Sequence, residues 1–403
     1  MKFIHAADLH LDSPFLGLTG LPTQLAAQVR QSTFASATKI FDRALAEHVD
    51  FVLLAGDLFD RAEQSVAAQA YLFDQFRRLA AAQIPVVISF GNHDYATDQH
   101  QLVAYPANVT VFGPDVTTTT LTLKSGETVA ISGFSYPQRW VSDDVVAAYP
   151  PHAATDWHLG MLHGAVATGG TNDHYAPFTL DDLRQKHYDY WALGHIHHHR
   201  LLAENPPIVY AGNPQGRAIN ETGAKGAYLV TSQGHELVPE FFDTAVLAWD
   251  TATLTTAATT LVALGQELTD WLTAHPASLP TLTALTITTT RSLAAEEQAR
   301  LAEWPALFQR TQRAALRAAN RYFVRLTVVP PTATLTAPEL DQSYWEQGAA
   351  QVFTPANVQS VFGKLAQEPS LAAWLDQVTP GDLQQAASRR LNQRVRGENP
   401  DVS

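Results

Sequence analysis

Three short apolar runs open the chain: Phe3-Ile4-His5-Ala6-Ala7, Phe51-Val52-Leu53-Leu54 and Val86-Val87-Ile88-Ser89. Runs this short and this continuous read as strands buried on both faces. Between the first two, Phe34, Ala37, Ile40, Phe41 and Leu45 recur at helical spacing across residues 32–48, and a second helical pattern covers residues 65–82. Strand, helix, strand, helix, strand predicts a parallel α/β arrangement. After Asp94 the rhythm shortens. Strand-like pieces at 109–112, 118–123 and 129–134 are separated by Gly-Pro and Ser-Gly-Glu turns, and others follow at 158–162, 190–193, 208–211 and 226–231, with one helix at 180–186. The simplest assembly is two sheets with helices outside, forming one α/β (α+β) domain over residues 1–240.

The Thr- and Ala-rich stretch 251–260 is linker-like in composition, yet residues 282–288 alternate cleanly and 321–329 reads as another strand. Residues 294–320 between them carry a helical pattern that Pro305 is expected to interrupt or kink. This predicts a small β-α-β lobe within residues 241–335. Pro330-Pro331 ends it, and residues 336–403 read as short helices broken by Pro355, Pro369 and Pro380.

Composition removes several classes of function. No apolar run approaches the roughly 18 residues that span a bilayer, so a membrane span is not expected. The opening MKFIHAADLH passes straight into patterned sequence without an apolar signal segment, which points to a cytoplasmic protein. With no Cys, disulfides, thiolate metal sites and Cys nucleophiles are excluded, and any metal must be held by His, Asp, Asn or Glu. The net charge of -13 argues against coating nucleic acid by bulk electrostatics. The charge is uneven, however: seven Arg (291, 300, 310, 313, 317, 321 and 325) stand against three Glu in residues 291–329, and Arg389, Arg390, Arg394 and Arg396 gather near the C-terminus. A solvated helix face explains such runs, and so does contact with a phosphate backbone.

Five polar clusters sit where strands end: Asp8-Leu9-His10, Gly56-Asp57-Leu58-Phe59-Asp60, Gly91-Asn92-His93-Asp94, His163-Gly164 and Gly194-His195-Ile196-His197. Loops leaving the carboxyl ends of neighbouring parallel strands converge, which is what motifs so far apart in sequence need in order to act together. Singly each is weak, because an Asp at a strand end serves equally well as a cap or turn former. Jointly they match a pair of divalent cations. Asp8 and His10 supply oxygen and nitrogen donors, the two carboxylate oxygens of Asp57 suit a bridge, Asn92 adds a neutral carbonyl, and His163, His195 and His197 complete two shells. Two ions about 4 Å apart can activate a nucleophile and clamp a transferring phosphoryl group.

In these motifs the sequence resembles the calcineurin-like metallophosphoesterase superfamily, whose pattern is D-x-H, G-D-x-x-D, G-N-H-[DE], H and G-H-x-H. All five elements stand here in order. The opening HAADLHLDSPF and the later IVYAGNPQGRAINETGAKGAYLV are similar to the SbcD-like bacterial DNA repair exonuclease branch, especially its YhaO-like members, which is related to the double-strand-break repair nucleases. The resemblance implies a four-layer αββα sandwich with a cap lobe and a helical C-terminal segment. It places Asp8, His10, Asp57 and His197 on one metal, and Asp57, Asn92, His163 and His195 on the other. His93 becomes the catalytic histidine beside the leaving oxygen, and Asp60 the carboxylate that orients it. Manganese is the usual ion of the family, although an oxygen and nitrogen shell also accepts iron or zinc.

The implied activity is hydrolysis of DNA phosphodiesters in repair, as an exonuclease or endonuclease working with an SbcC-like coiled-coil ATPase, and a homodimer is a further family implication. Candidate DNA contacts are Arg61, which follows Asp60 as in the protein phosphatases, and the row Arg310, Arg313 and Arg317. Tyr344, Trp345, Val352, Phe353, Val361, Phe362 and Trp374 are candidate anchors for the ATPase. His5 is read as a core histidine, His198 and His199 as solvent-facing or supporting, and residues 213–221, with Gln215, Arg217 and Asn220, as shaping the rim. Two other functions fit part of the pattern. A phosphatase or cyclic phosphodiesterase of small esters needs only the body and suits the acidic charge. A non-catalytic DNA-end scaffold would have no use for the charged cluster at Asp57, Asn92 and His93.

Overall fold

A computed structural model describes residues 1–15, 17–18, 21–95, 104–169, 173–331, 342–362 and 379–395. The body begins with β1 (Lys2–Ala6), α1 (Thr23–Ala46), β2 (Phe51–Ala55), α2 (Val66–Ala81), β3 (Val86–Ser89) and β4 (Val109–Val111). It continues with β5 (Thr117–Thr122), β6 (Thr128–Gly133), β7 (Trp157–His163), α3 (Leu180–Gln185), β8 (Tyr190–Gly194), β9 (Arg200–Glu204), β10 (Pro207–Tyr210), β11 (Gly226–Gln233) and β12 (Glu236–Asp243).

These strands form two six-stranded sheets, ordered β12-β11-β1-β2-β3-β4 and β5-β6-β7-β8-β10-β9. Neighbours β1 to β4 are parallel, as are β6, β7, β8 and β10, while the outer pairings are antiparallel. The continuous apolar runs follow from layering. On β1 and β2, Phe3, Phe51 and Leu53 face the second sheet, where they meet Leu159, Met161, Tyr190 and Ala192. Their neighbours Ile4, Val52 and Leu54 point the other way, onto Ile40, Phe41, Leu72 and Phe76 of α1 and α2. With a side-chain period of two and both faces covered, every position must be apolar. The far face of the second sheet packs Leu162, Trp191 and Leu193 against Val146, Tyr149 and Leu183, completing a four-layer α/β/β/α body. Ser65 caps α2 by accepting from the Ala68 amide at 3.2 Å, which fixes the start that the sequence pattern predicts.

A three-stranded sheet follows, β13 (Ala248–Thr256), β14 (Thr281–Thr289) and β15 (Arg321–Val329), in that order. The linker-like stretch therefore begins inside a strand, and a helix that the sequence pattern does not announce, α4 (Leu261–Ala274), joins β13 to β14. Leu261, Leu264, Leu268 and Leu272 form its buried stripe, one side chain every three or four residues. Thr masks β13 because its branched side chain suits an open sheet face as well as a loop. The helical pattern between β14 and β15 resolves into α5 (Ala295–Gln298), α6 (Trp304–Thr311) and α7 (Arg313–Ala319). The helical pattern is interrupted between α5 and α6, as expected at Pro305, which lies in the first turn of α6 and so helps start the helix after the break. A second break falls at Gln312, between α6 and α7.

The chain divides into two compact units. The first contains Met1–Leu254, Gln266–Thr286 and Glu303–Thr327. In it the body and the lobe share a core, with Leu247, Trp249 and Leu282 packing on Phe15, Leu25 and Val29. The second contains Thr255–Gly265, Ile287–Ala302 and the segment from Val328 onward. Here the Thr290 amide donates to the Thr256 carbonyl at 2.7 Å, and the described C-terminal helices are Gln342–Val352, Pro355–Phe362 and Pro380–Val395. Of the anchors named above, Val352 is exposed and Phe353 half-buried, while Trp374 lies outside the described residues; Arg396 of the C-terminal arginine cluster lies outside them too. Among the described residues no helix is long and apolar enough to cross a membrane.

Candidate metal centre

The five polar clusters come together at the carboxyl ends of β1, β2, β3, β7 and β8. Beyond the strands, the pairing of β1 with β2 continues through Asp8 N to Gly56 O and His10 N to Asp57 O, both 3.0 Å. Asp8 and Asp57 thus leave the sheet side by side. The turn is tight enough to force Asp8, His10, Asp57 and His195 to positive φ, between 41° and 96°. Such backbone is costly for residues other than Gly, and its concentration here is typical of functional sites. Gly91 has a separate steric reason, since a Cβ there would overlap the Asp57 carboxylate and the His163 ring.

All seven predicted ligands converge. Asp8, His10, Asp57, Asn92 and His163 are buried, and His195 and His197 are half-buried. Asp57 Oδ2 lies 3.7 Å from His10 Nε2 and 3.4 Å from His163 Nε2, so one carboxylate oxygen faces both halves of the cluster. On one side His10 Nε2 and His197 Nε2 are 3.1 Å apart. On the other, Asn92 Oδ1 is 3.1 Å from both His163 Nε2 and His195 Nδ1. Donor atoms of Asp8, His10 and His197, and of Asp8, Asp57 and His163, lie within 4.8 Å of one another.

The donor set fits divalent cations. His163 Nδ1 donates to the Ala55 carbonyl at 3.1 Å, and His197 Nδ1 stands 2.7 Å from Glu221 Oε1. Those outer bonds orient the rings and turn both Nε2 atoms inward, toward the cluster. Ligands bound about 2.1 Å from one ion sit roughly 3 to 4 Å from one another, which is the spacing found. The electrostatics agree. Burial opposes charge on His163, but the carboxylates of Asp57 and Asp8 overcome it and hold its pKa up at about 9. The same carboxylates therefore draw positive charge into the cluster. Burial pushes Asp57 upward, yet the neighbouring His163 and His10 bring it far below the usual carboxylate range, while buried Asp8 is raised. His195 is lowered to about 3 by burial and by the charge of His163, leaving a neutral imidazole able to act as a ligand.

His93 stands beside this cluster. Its amide donates to Asp57 Oδ1 at 2.9 Å, and its ring meets the His10 ring edge-on, with centroids 4.9 Å apart. One expectation is corrected here. His93 Nδ1 bonds the main-chain carbonyl of Asp60 at 2.9 Å, not the carboxylate. The Asp60 carboxylate is instead taken by Arg217, with Oδ1 2.6 Å from Nη1. A guanidinium outcompetes a neutral imidazole for a carboxylate because it is always charged and offers a fork of donors. Arg61 is exposed, next to Asp60. Arg310, Arg313 and Arg317 are exposed or partly exposed at the surface of the lobe, but the break at Gln312 means that they do not share one continuous helix face; only Arg313 and Arg317 lie four apart on α7.

Two supporting carboxylates have no role that the sequence pattern assigns. Asp94 is fully buried and accepts from three amides, Gly91 at 2.7 Å, Leu58 at 2.6 Å and Phe59 at 3.2 Å. It ties the loop carrying Asp57 to the loop carrying Asn92 and His93. Glu221 holds His197 through one oxygen, and through the other it accepts from Asn213 Nδ2 and the Arg217 amide, both at 2.7 Å. Asp94 completes the Gly-Asn-His-Asp motif, so its signal was present. Glu221 had no signal beyond its place in the rim segment. His5 is a core histidine as read, bonded to the Tyr190 hydroxyl and the Leu193 carbonyl.

Residues 1–199 match the calcineurin-like phosphoesterase family. The uncharacterized metallophosphoesterase YhaO of Bacillus subtilis is 44% identical over 273 residues, 67% of each chain. More distant are the DNA double-strand break repair proteins Mre11 of Thermoplasma acidophilum, 27% identical over 57% of this chain and 61% of its own, and of Archaeoglobus fulgidus, 26% identical over 55% and 52%. The match thus covers about three fifths or less of these Mre11 proteins. Proteins of this family hold divalent metal ions in such sites and hydrolyse phosphoester bonds. A strand-end cluster that gathers acidic oxygens and imidazoles around Asp57 is what that chemistry requires, and the chain belongs to the calcineurin-like metallophosphoesterases.

Proposed function

We propose that this chain is a DNA phosphodiesterase, a repair nuclease of the SbcD-like kind that uses two divalent ions, manganese in preference to iron or zinc. The observation that carries the two-ion reading is the position of Asp57 Oδ2 between His10 Nε2 and His163 Nε2. Asp8, His10, Asp57 and His197 would hold one ion, and Asp57, Asn92, His163 and His195 the other. Bound there, the ions supply Lewis-acid charge to the phosphoryl oxygens and make water nucleophilic at neutral pH. The protein's own part is orientation and proton handling. The Asp60 carbonyl accepts from His93 Nδ1–H, which leaves Nε2 to carry the proton that a departing 3′ alkoxide takes up. The carbonyl partner holds the ring in one orientation.

The DNA substrate is supported by the distant likeness to the Mre11 double-strand break repair proteins and by the surface arginines 310, 313 and 317. A coiled-coil ATPase of the SbcC type is the partner proposed with it. The test is hydrolysis by the manganese-loaded chain of duplex DNA, single-stranded DNA and a small phosphomonoester. Cleavage of DNA with little phosphomonoesterase activity is expected. Rapid hydrolysis of the monoester with no DNA cleavage would overturn the substrate assignment in favour of a small-molecule phosphatase.

A further inference from the structure

A large aromatic side chain stands in water on a segment that leads to the metal cluster. Trp140 is 55% exposed, one of few large apolar side chains outside the core among the described residues. It borders a groove of about 550 Å³ lined by Pro137, Gln138, Val141, Ser142, Asp143 and His174. That volume lies in the roughly 300 to 1,000 Å³ range of small-ligand sites.

Both walls of the groove continue along the chain into residues packed against proposed metal ligands. On one wall, Tyr136 is buried with its ring set edge-on to His163, centroids 5.6 Å apart. Trp140 is four residues further along, which limits its Cα to about 14 Å from that of Tyr136. On the other wall, His174 is followed at once by Tyr175, whose ring lies 4.5 Å from the His195 ring. The walls are stitched together by Val141 N to His174 O at 3.0 Å and Ala176 N to Val141 O at 2.7 Å. Gln138 Nε2 donates to the Trp140 carbonyl at 3.1 Å, and Ser142 Oγ pairs with His174 Nδ1 at 2.9 Å. The indole is thus carried on a hydrogen-bonded loop. Arg139 is exposed as well and lies over the indole ring, 5.5 Å from its centroid.

We propose that this groove is a nucleobase subsite, in which Trp140 stacks an unpaired base of the DNA strand whose phosphodiester sits on the His163 and His195 side of the centre, while Arg139 meets the backbone. The proposal rests on the DNA phosphodiesterase reading and narrows it to substrates with unpaired nucleotides next to the cleaved bond. Stacking suits the site because every base has a π face, so the preference is for unpaired structure and not for sequence. The carboxylate of Asp143 in the lining repels phosphate but accepts from the amino and imino groups of bases, which favours a base over a bare phosphate at this position.

The experiment compares wild type with Trp140→Ala and Trp140→Phe, all manganese-loaded. The substrates are a single-stranded oligonucleotide, the same oligonucleotide with one abasic nucleotide moved stepwise along it, and bis(4-nitrophenyl) phosphate. Because Trp140 is exposed, neither substitution disturbs the core. On the oligonucleotide, Trp140→Ala should raise KM about 10-fold, the scale of removing one base stack. Trp140→Phe should recover most of this, and the small diester should be unaffected. With wild type, one abasic position should reproduce the loss, and Trp140→Ala should be insensitive to it. If wild type cleaves the oligonucleotide and Trp140→Ala does so equally well, the subsite is wrong while the nuclease reading stands. If wild type hydrolyses only the small diester, the nuclease reading fails and takes the subsite with it.

Discussion

Arg217 Nη1 lies 2.6 Å from Asp60 Oδ1, and Asp60 in turn offers its carbonyl to His93 Nδ1 at 2.9 Å. Arg217 Nη2 is also 3.6 Å from Glu221 Oε1, the oxygen that holds His197. One guanidinium thus joins the support of His93, the proposed proton donor, to the support of His197, a proposed metal ligand, and all three charged side chains are at most 15% exposed. Replacing Arg217 by Gln leaves two carboxylates without their cation, and charge-assisted bonds of this kind contribute about 1.5–3 kcal/mol each. Arg217→Gln is expected to lower kcat with little change in KM. Arg217→Lys should restore part of the rate. A KM effect alone would make Arg217 a substrate contact.

His93→Ala separates chemistry from metal binding. Hydrolysis should fall by ~10²- to 10⁴-fold, the usual contribution of a positioned proton donor, while metal analysis still finds two ions per chain. Loss of an ion from this variant would place His93 among the ligands. An aryl phosphodiester with a good leaving group should be much less affected, because it departs without needing a proton.

Asp57→Asn should weaken both ions together, because Asp57 Oδ2 faces both halves of the cluster. His163→Ala should chiefly weaken the one on the Asn92 side. Ions bound by the native state alone add stability, so the metal-induced rise in Tm should shrink in Asp57→Asn. Unchanged stoichiometry and Tm would refute the shared position of this carboxylate.

Asp94 accepts three amide hydrogen bonds that join two site loops. Asn offers one oxygen in place of two and sets a donor against an amide. Asp94→Asn is expected to cost about 1–3 kcal/mol of stability by denaturant titration and to reduce metal affinity through loosened loops. Equal stability of the two proteins would contradict the tie.

Arg310, Arg313 and Arg317 changed together to Gln should weaken duplex DNA binding and lower the slope of log affinity against log salt by about 0.9 for each phosphate left unneutralised. Because of the break at Gln312, Arg313 and Arg317 should act as a pair and Arg310 independently. Hydrolysis of a small diester should be unchanged. An unaltered salt slope would identify these side chains as an ordinary solvated surface.

The alternation of strands and helices in the body, its two buried sheets and the seven residues that meet at the metal cluster are all legible in the amino-acid order. Strand burial imposes continuous apolar runs, and chemistry at a strand end needs its residue types at fixed offsets from the last apolar position. Asp94 is visible in its motif, but its role is not, since three amide partners from two loops exist only once β2 and β3 lie side by side. The lobe is less legible: β13 is masked by Thr, whose half-exposed sheet positions resemble a polar linker, and the Leu stripe of α4 is short. Which carboxylate serves which partner is settled by folding alone. Asp60 and Arg217 are 157 residues apart, and no local pattern records that the folded chain gives the Asp60 carboxylate to Arg217 and leaves His93 the carbonyl. The same holds for Glu221 behind His197, for the break at Gln312 that divides the arginine row, and for Trp140, whose exposure follows from how the loops around it pack.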